Sequence, residues 1–413
     1  MHKWSALLEF NRFQTCGKAR TYRRRCYGNL HMAQRLELMA KLEGHWECVN
    51  SLNFNAEGDL LVSGSDDLQC QLWEWQSQKL LTSFSSRHRS NVFQSKFMPH
   101  KNNQTIITSS HDGSIRIHQL DEAGSRGVDS RKIGFHRGPV HKIAMHPALH
   151  ETILTAGEDG CVLNIDIRLP NPINVVTVRS AGQPVGLYSI AINPLRPSEF
   201  VTGGKDQFVR VFDRRNAKPD DFVRELCPDH LVSTRIRCDD ASLSVSEAVY
   251  NFDGTEILAS YSDEDIYLFA NDISTIEAKG TENSYLHQYQ GHRNNDTVKG
   301  VNYFGQRSEF IVSGSDCGHI YIWDKESSHI VNFLFGDEDG ALNCVEPNPT
   351  APFLATSGFD HNVKIWAPSA EEEPSLQEVR EHTIQNMRQR HQNLIRDYCE
   401  YYIRLRRRQM NDF

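Results

Sequence analysis

The sequence has no pair of cysteines at metal or redox spacing: its ten cysteines are scattered and no Cys-x-x-Cys occurs. No apolar run approaches the roughly eighteen residues of a membrane-spanning helix, and Met1-His2-Lys3-Trp4 opens no apolar leader. Free thiols in a reducing compartment, cytosol or nucleus, are therefore expected. Catalytic signatures are also missing. The 19 histidines form no His-Glu-x-x-His, no His-x-His and no Cys/His set with zinc spacing. No Gly-x-Ser-x-Gly elbow and no phosphate-binding glycine loop is present. His111 beside Asp112 and His361 beside Asp360 come nearest to acid–base pairs. Such adjacency reads better as a turn aspartate next to a solvated histidine. The chain is expected to be no enzyme and to need no cofactor and no metal.

Excess charge of one sign is confined to the ends. Residues 1–41 carry nine Lys/Arg against two acids, and residues 375–413 carry eight against five. With a formal net charge of −8, the body between them sits near −18. A body that acidic repels phosphate, so no direct nucleic-acid contact by it is expected, and no membrane contact. Arg23-Arg24-Arg25 reads as a nuclear-import signal, a partner contact or a solvated stretch, and the arginines of 404–408 lie where a helix C-terminus favours cations.

What the sequence does contain is a phrase repeated seven times: a small-residue turn, an acid, then alternating apolar residues up to an anchor. The anchors are Trp73, His118, Ile165, Phe212, Phe269, Trp323 and Trp366, spaced by 43 to 57 residues, close to a propeller period. Six positions before each anchor lie Asp67, Asp112, Asp159, Asp206, Asp263 and Asp360, with Cys317 in that slot of the sixth copy. These aspartates are predicted to be structural, each accepting N–H groups within its own turn. Histidines ahead of the repeats, as in Gly44-His45 and Gly291-His292, can satisfy the rest of a buried carboxylate. Left unpaired, it would cost several kcal/mol, about the penalty for a lone desolvated charge.

Each copy reads as a four-stranded antiparallel sheet, for example Val49–Phe54, Leu60–Ser65 and the strand ending at Trp73. This is the signature of WD40 repeats, and the resemblance covers about residues 42–366. It implies an all-β fold, a seven-bladed propeller. Open edges in such a ring must be paired, and Arg35–Gly44 is placed to complete the last blade. The expected organisation is a basic N-terminal extension over 1–34, the propeller over 35–368, and a C-terminal tail over 369–413. The tail contains a helix over Ser375–Gln409, capped by Ser375 and Glu378, with Met387, Leu394, Ile395, Tyr398, Tyr402 and Leu405 on one face. The longer connections, such as Asn216–Ser244, are polar and predicted to be exposed loops.

Two copies differ from the others after the anchor. The third continues Asp166-Ile167-Arg168 and the fourth Asp213-Arg214-Arg215, whereas Trp73, Trp323 and Trp366 are followed by no such arginine. Adjacent blades would then show two arginines at equivalent points of one rim. An adjacent aspartate can hold each guanidinium for planar contacts to a partner. The plainer alternative is an exposed arginine paired with its own aspartate and doing little else.

The runs Ile153–Arg168 and Phe200–Arg215 resemble the extended box of WD40 proteins that dock on the damaged-DNA-binding adaptor of cullin-four RING ubiquitin ligases. Leu42–Phe54, Leu258–Phe269, Gly291–Trp323 and Ala355–Pro368 are similar to one subgroup, the adaptor-and-cullin-four associated factors. The resemblance implies a substrate receptor in nucleus and cytoplasm. Asp166, Arg168, Asp213 and Arg215 would contact the adaptor and ligase core, and another surface would select an unknown protein substrate. It also makes Phe10–Leu38 the candidate for an adaptor-inserting segment. Ile165 and Phe212 stand where that box has tryptophan. The alternative is a WD40 scaffold, for example chromatin-associated, outside any ligase; a propeller hydrolase lacks any nucleophile or metal constellation.

Overall fold

The computed structural model describes residues 26–389, apart from 100, 102, 122–127, 220, 233–242, 272–284, 296, 339 and 376. Seven four-stranded antiparallel sheets stand in a ring, each with its first strand innermost. Blade 1 is Val49–Phe54, Leu61–Ser65, Gln69–Glu74 and Lys79–Ser85. Blades 2 to 6 repeat this order, with inner strands Val92–Phe97, Val140–Met145, Leu187–Ile192, Val245–Tyr250 and Val301–Phe304. Blade 7 takes three strands from Leu342–Pro347, Leu354–Gly358 and Asn362–Pro368, and its fourth from Leu36–Glu43 near the other end of the described chain. The closing register runs from Leu36 opposite Pro368 to Glu43 opposite Asn362. Leu36, Ala40 and Leu42 of that strand are buried.

The core lies between blades. The middle strands are buried on both faces, as in Leu61–Ser65 and Phe310–Gly314, where every residue is buried. Close approach of neighbouring strands explains the glycines of the repeat. A Cβ on Gly204 would run into the Gly186 carbonyl, and one on Gly314 into that of Leu342. The anchors fill one slot with different chemistry. Trp73 Nε1 donates to Ser63 Oγ at 3.0 Å and Trp366 Nε1 to Thr356 Oγ1 at 2.8 Å. His118 Nε2 lies 2.9 Å from Thr108 Oγ1, while Ile165 and Phe212 fill the slot by packing alone.

The turn aspartates are satisfied in three ways. His45 meets Asp67 at 2.7 Å, and His136 meets Asp159 at 2.9 Å. Asp112 accepts from Ser114 N at 2.8 Å, with His88 3.4 Å away. Asp206 pairs with Arg210 at 2.7 Å, and Asp360 pairs with Lys364. In blade 5 the buried carboxylate belongs to Asp265, which accepts from Gln288 at 2.7 Å and Gln290 at 3.1 Å, whereas Asp263 takes a left-handed φ of 57°.

Three further features have packing causes, and the first departs from the sequence expectation. Within Asn216–Ser244, predicted to be loop, Arg224–Leu226 forms the outer strand of blade 4 and Asp229–Val232 a helical turn. Leu226, Cys227 and Leu231 are buried there against blades 4 and 5. Residues 26–34, the described end of the N-terminal extension, are packed: Tyr27 and Ala33 join the core of blades 6 and 7, and Asn332 Nδ2 donates to Ala33 O at 2.7 Å. The tail helix is described over 377–389, and its inward face is largely polar. Asn386 Nδ2 donates to Gly291 O at 2.9 Å and Tyr321 OH at 2.8 Å, and reaches Cys317 Sγ at 3.4 Å. The helix thus sits where the sixth copy has Cys317 in place of aspartate. Burial pushes that thiol up, but hydrogen bonds with His319, Ser315 and Asn386 outweigh it and bring it down to about 7. Arg23–Arg25, most of Phe10–Leu38 and the apolar positions from Leu394 onward lie outside the described residues.

His88 and His118 both approach the Thr108 hydroxyl, at 2.8 and 2.9 Å. Burial pushes His88 down to about 4 and His118 down to about 3, from the usual 6.5. Below about pH 6.5 the unfolded chain therefore binds protons that the folded chain refuses, and stability must fall as pH drops from there toward 4. Calorimetric melting between pH 7 and pH 5 should show Tm decreasing, and His118→Gln should make the decrease smaller; an equal decrease in that variant would assign the loss to other groups.

Candidate functional site

The third strands of blades 3 and 4, Cys161–Asp166 and Asp206–Asp213, both end on an aspartate. The chain then turns identically in each. Ile167 N donates to Glu151 O at 3.0 Å and Leu169 N to Asp166 O at 3.0 Å; Arg214 N donates to Ser198 O at 2.8 Å and Asn216 N to Asp213 O at 3.1 Å. Each aspartate also accepts the backbone N–H of the arginine two residues on, Arg168 N to Asp166 Oδ1 at 3.0 Å and Arg215 N to Asp213 Oδ1 at 2.9 Å. That local bond fixes the carboxylate before the side chains meet.

The guanidinium then folds back onto the same carboxylate through two nitrogens. Arg168 donates from Nε to Asp166 Oδ1 at 2.9 Å and from Nη2 to Oδ2 at 2.6 Å. Arg215 donates from Nε to Asp213 Oδ1 at 3.0 Å and from Nη2 to Oδ2 at 2.5 Å. The Arg168 hydrogen bonds hold the Asp166 carboxyl down to about 2, and Arg215 lowers Asp213 in the same way. Both guanidiniums remain largely in solvent, with 66% and 74% of the side chain exposed. A planar cation held on one edge presents its other edge in a set orientation. Blade 6 shows the contrast: there Asp324 at the same point accepts from Ser327 N at 2.9 Å and Ser327 Oγ at 2.7 Å, and no arginine is held.

Antiparallel order puts the loops after the first and third strands of every blade on one face of the disc, and the turn aspartates on the other. The arginine face of blades 3 to 5 is apolar as well as cationic. Leu149, Leu169, Ile173, Leu195, Val223 and Phe252 are all exposed. Leu149 and Leu195 crown equivalent turns, built by His146 Nδ1 accepting from Leu149 N at 2.8 Å and Asn193 Oδ1 accepting from Leu195 N at 3.1 Å. A recess of about 310 Å³ joins Leu149, Leu169 and Ile173 to Asp166, Arg168 and Arg214. Sequence reading found the two arginines and missed these leucines, although Pro-Ala-Leu and Pro-Leu at matching points of two repeats was the available signal. An apolar surface interrupted by oriented arginines is suited to burying a protein partner.

The other candidates resolve into structure. His111 Nδ1 approaches Ser90 Oγ at 3.4 Å while Asp112 is used by its turn, and Asp360 is paired with Lys364 beside His361. Among the described residues, no three His, Cys, Asp or Glu side chains converge as a metal-holding group.

A family model described as WD domain, G-beta repeat matches residues 36–74, 78–119, 283–324 and 329–367. The chain is 32% identical over 268 residues to DDB1- and CUL4-associated factor 6 of Homo sapiens, covering 60% of this chain and 29% of that protein. It is 30% identical over 274 residues to Protein ALTERED SEED GERMINATION 2 of Arabidopsis thaliana, covering 57% and 36%. Over 284 residues it is 28% identical to WD and tetratricopeptide repeats protein 1 of Homo sapiens, covering 61% and 41%. The matched stretches thus span well under half the length of these curated relatives. The chain is a seven-bladed propeller, and four stretches of it match the WD40 repeat.

The clamp itself makes a prediction. In Asp213→Asn the Arg215 Nε–H should lose its slow solvent exchange, read by ¹⁵N NMR of arginine side chains, while the Tm stays within about 1 °C because the pair is exposed. Unchanged exchange would mean that Asp213 does not hold the guanidinium.

Proposed function

We propose that this chain is a non-catalytic substrate receptor, docking through its arginine face on the damaged-DNA-binding adaptor of a cullin-four RING ubiquitin ligase. The observation that carries the reading is the repetition of one aspartate-clamped arginine, Arg168 on Asp166 and Arg215 on Asp213, on adjacent blades. One such pair would be ordinary surface chemistry; two in the same turn, beside exposed leucines, make a directional docking edge. The likeness to a relative named for DDB1 and CUL4 supports the same partner. We further propose, on the wording of the repeats at Ser262–Phe269 and Gly314–Trp323, that within that group the chain belongs with factor eight. The adaptor would meet Leu149, Leu169 and Leu195 together with the arginines, and the opposite face would be left for a protein target. The proposed location is nucleus and cytoplasm, where such a ligase core could be met.

Purified chain and adaptor should associate, and Arg168→Ala combined with Arg215→Ala should weaken the association at least tenfold, about 1.4 kcal/mol or more in binding free energy. Equal binding by the double variant would remove the docking assignment and leave the scaffold alternative. Leu195→Asp, which alters the apolar neighbour and no arginine, should weaken the same association, because a carboxylate placed in a desolvated contact has no partner.

A further inference from the structure

The face opposite the arginines carries the turn aspartates, since Asp159 precedes the strand that Asp166 ends. On that face blade 1 departs from its neighbours. After the histidine, blades 2 and 3 have Arg89 and Arg137, whose N–H groups donate to Asp112 at 2.8 Å and Asp159 at 2.9 Å. Blade 1 has Trp46 in that place, 69% exposed, followed by an exposed Glu47. Just before the turn aspartate, blades 2 and 4 have His111 and Lys205, and blade 3 has Glu158, which His141 and Lys205 pair at 2.8 and 2.5 Å; blade 1 has Asp66. The Asp66 carboxylate is hydrogen-bonded by two neutral amides, those of Asn50 and Asn91. Partial burial pushes its carboxyl up, and the charges of Glu47 and Asp67 push it further.

A second ring reaches the same place from blade 7. Phe359 is exposed, and its carbonyl accepts from Cys48 Sγ at 3.3 Å, two residues after Trp46. Lys41 is paired with Glu338 at 3.2 Å. Among the described residues, Glu47 and Asp66 on the blade 1 rim carry no paired basic side chain, and the same rim bears two exposed aromatic rings. Such a rim repels phosphate and anionic lipid, and its charge and rings complement a cation on an apolar stem.

We propose that the blade 1 rim recognises a protein segment presenting an arginine or lysine side chain, with Glu47 and Asp66 receiving the cation and Trp46 and Phe359 covering its methylene stem. This names the chemistry of the target side, and it rests on the receptor reading only in calling the bound segment a target. Binding by the rim does not require the arginine face.

Random heptapeptides displayed on phage and panned on the purified full chain test it. Clones that prefer wild type over Glu47→Gln/Asp66→Asn should carry arginine or lysine at one fixed position. The corresponding synthetic peptides should lose at least tenfold in affinity when that residue is changed to glutamine, or when the double variant replaces wild type. Trp46→Ala should lose at least fivefold, with all variants melting as wild type does. Failure to enrich any clone, enrichment without a basic residue, or equal binding to the double variant would overturn the proposal. The Arg168→Ala/Arg215→Ala variant should bind the peptides normally, so that failure of adaptor docking and failure of this site are separately visible.

Discussion

A strand left unpaired at the edge of a sheet exposes a row of backbone donors and acceptors, and a ring of sheets whose last member lacked a strand would carry that defect at its seam. The pairing of Leu36–Glu43 with Asn362–Pro368 removes it, joining segments more than 300 residues apart. Everything else depends on that closure. It buries Leu36 and Leu42 between blades, locks the first repeat against the last, and lets Tyr27 and Ala33 pack beside it. It also gives the molecule two faces of fixed identity, because every blade then points its odd-numbered loops the same way.

Once the faces are fixed, the same small turn does different work on each. On one, carboxylates are consumed internally: His45 on Asp67, His136 on Asp159 and Lys364 on Asp360 leave little charge for a partner. On the other, Asp166 and Asp213 are used to aim a cation outward, and the cation is left exposed. The first arrangement stabilises a blade and the second adds a direction to it. Blade 1 mixes the two, since Asp67 is internal while Asp66, one residue earlier, is held only by amides on the surface.

The parts of this that were legible in the sequence are those whose signals are local. The spacing from turn aspartate to anchor is set by the length of one strand, and the Asp-x-Arg clamp closes within three residues, so both could be read directly. What escaped depends on contacts between segments far apart in the chain. Arg224–Leu226 reads as polar loop and becomes a strand because blade 4 needs a fourth one. Cys317 looks like a lost aspartate until Asn386 arrives from the tail helix to meet it. In blade 5 two acids flank Glu264, and only the reach of Gln288 and Gln290 picks Asp265 over Asp263 as the buried one. The exposed leucines of the arginine face look unremarkable singly; they form a surface because the ring lays equivalent loops side by side.

We propose that the edge bearing Arg168 and Arg215 is the one that meets the ligase adaptor. Hydrogen–deuterium exchange of the chain, alone and bound to the purified adaptor, tests it most directly. Exchange should slow over residues 147–151, 166–170, 194–198 and 213–217 on complex formation, with the turns around Trp46, Asp66 and Phe359 unchanged. Protection confined to those opposite turns, with the arginine loops exchanging as in the free chain, would contradict it.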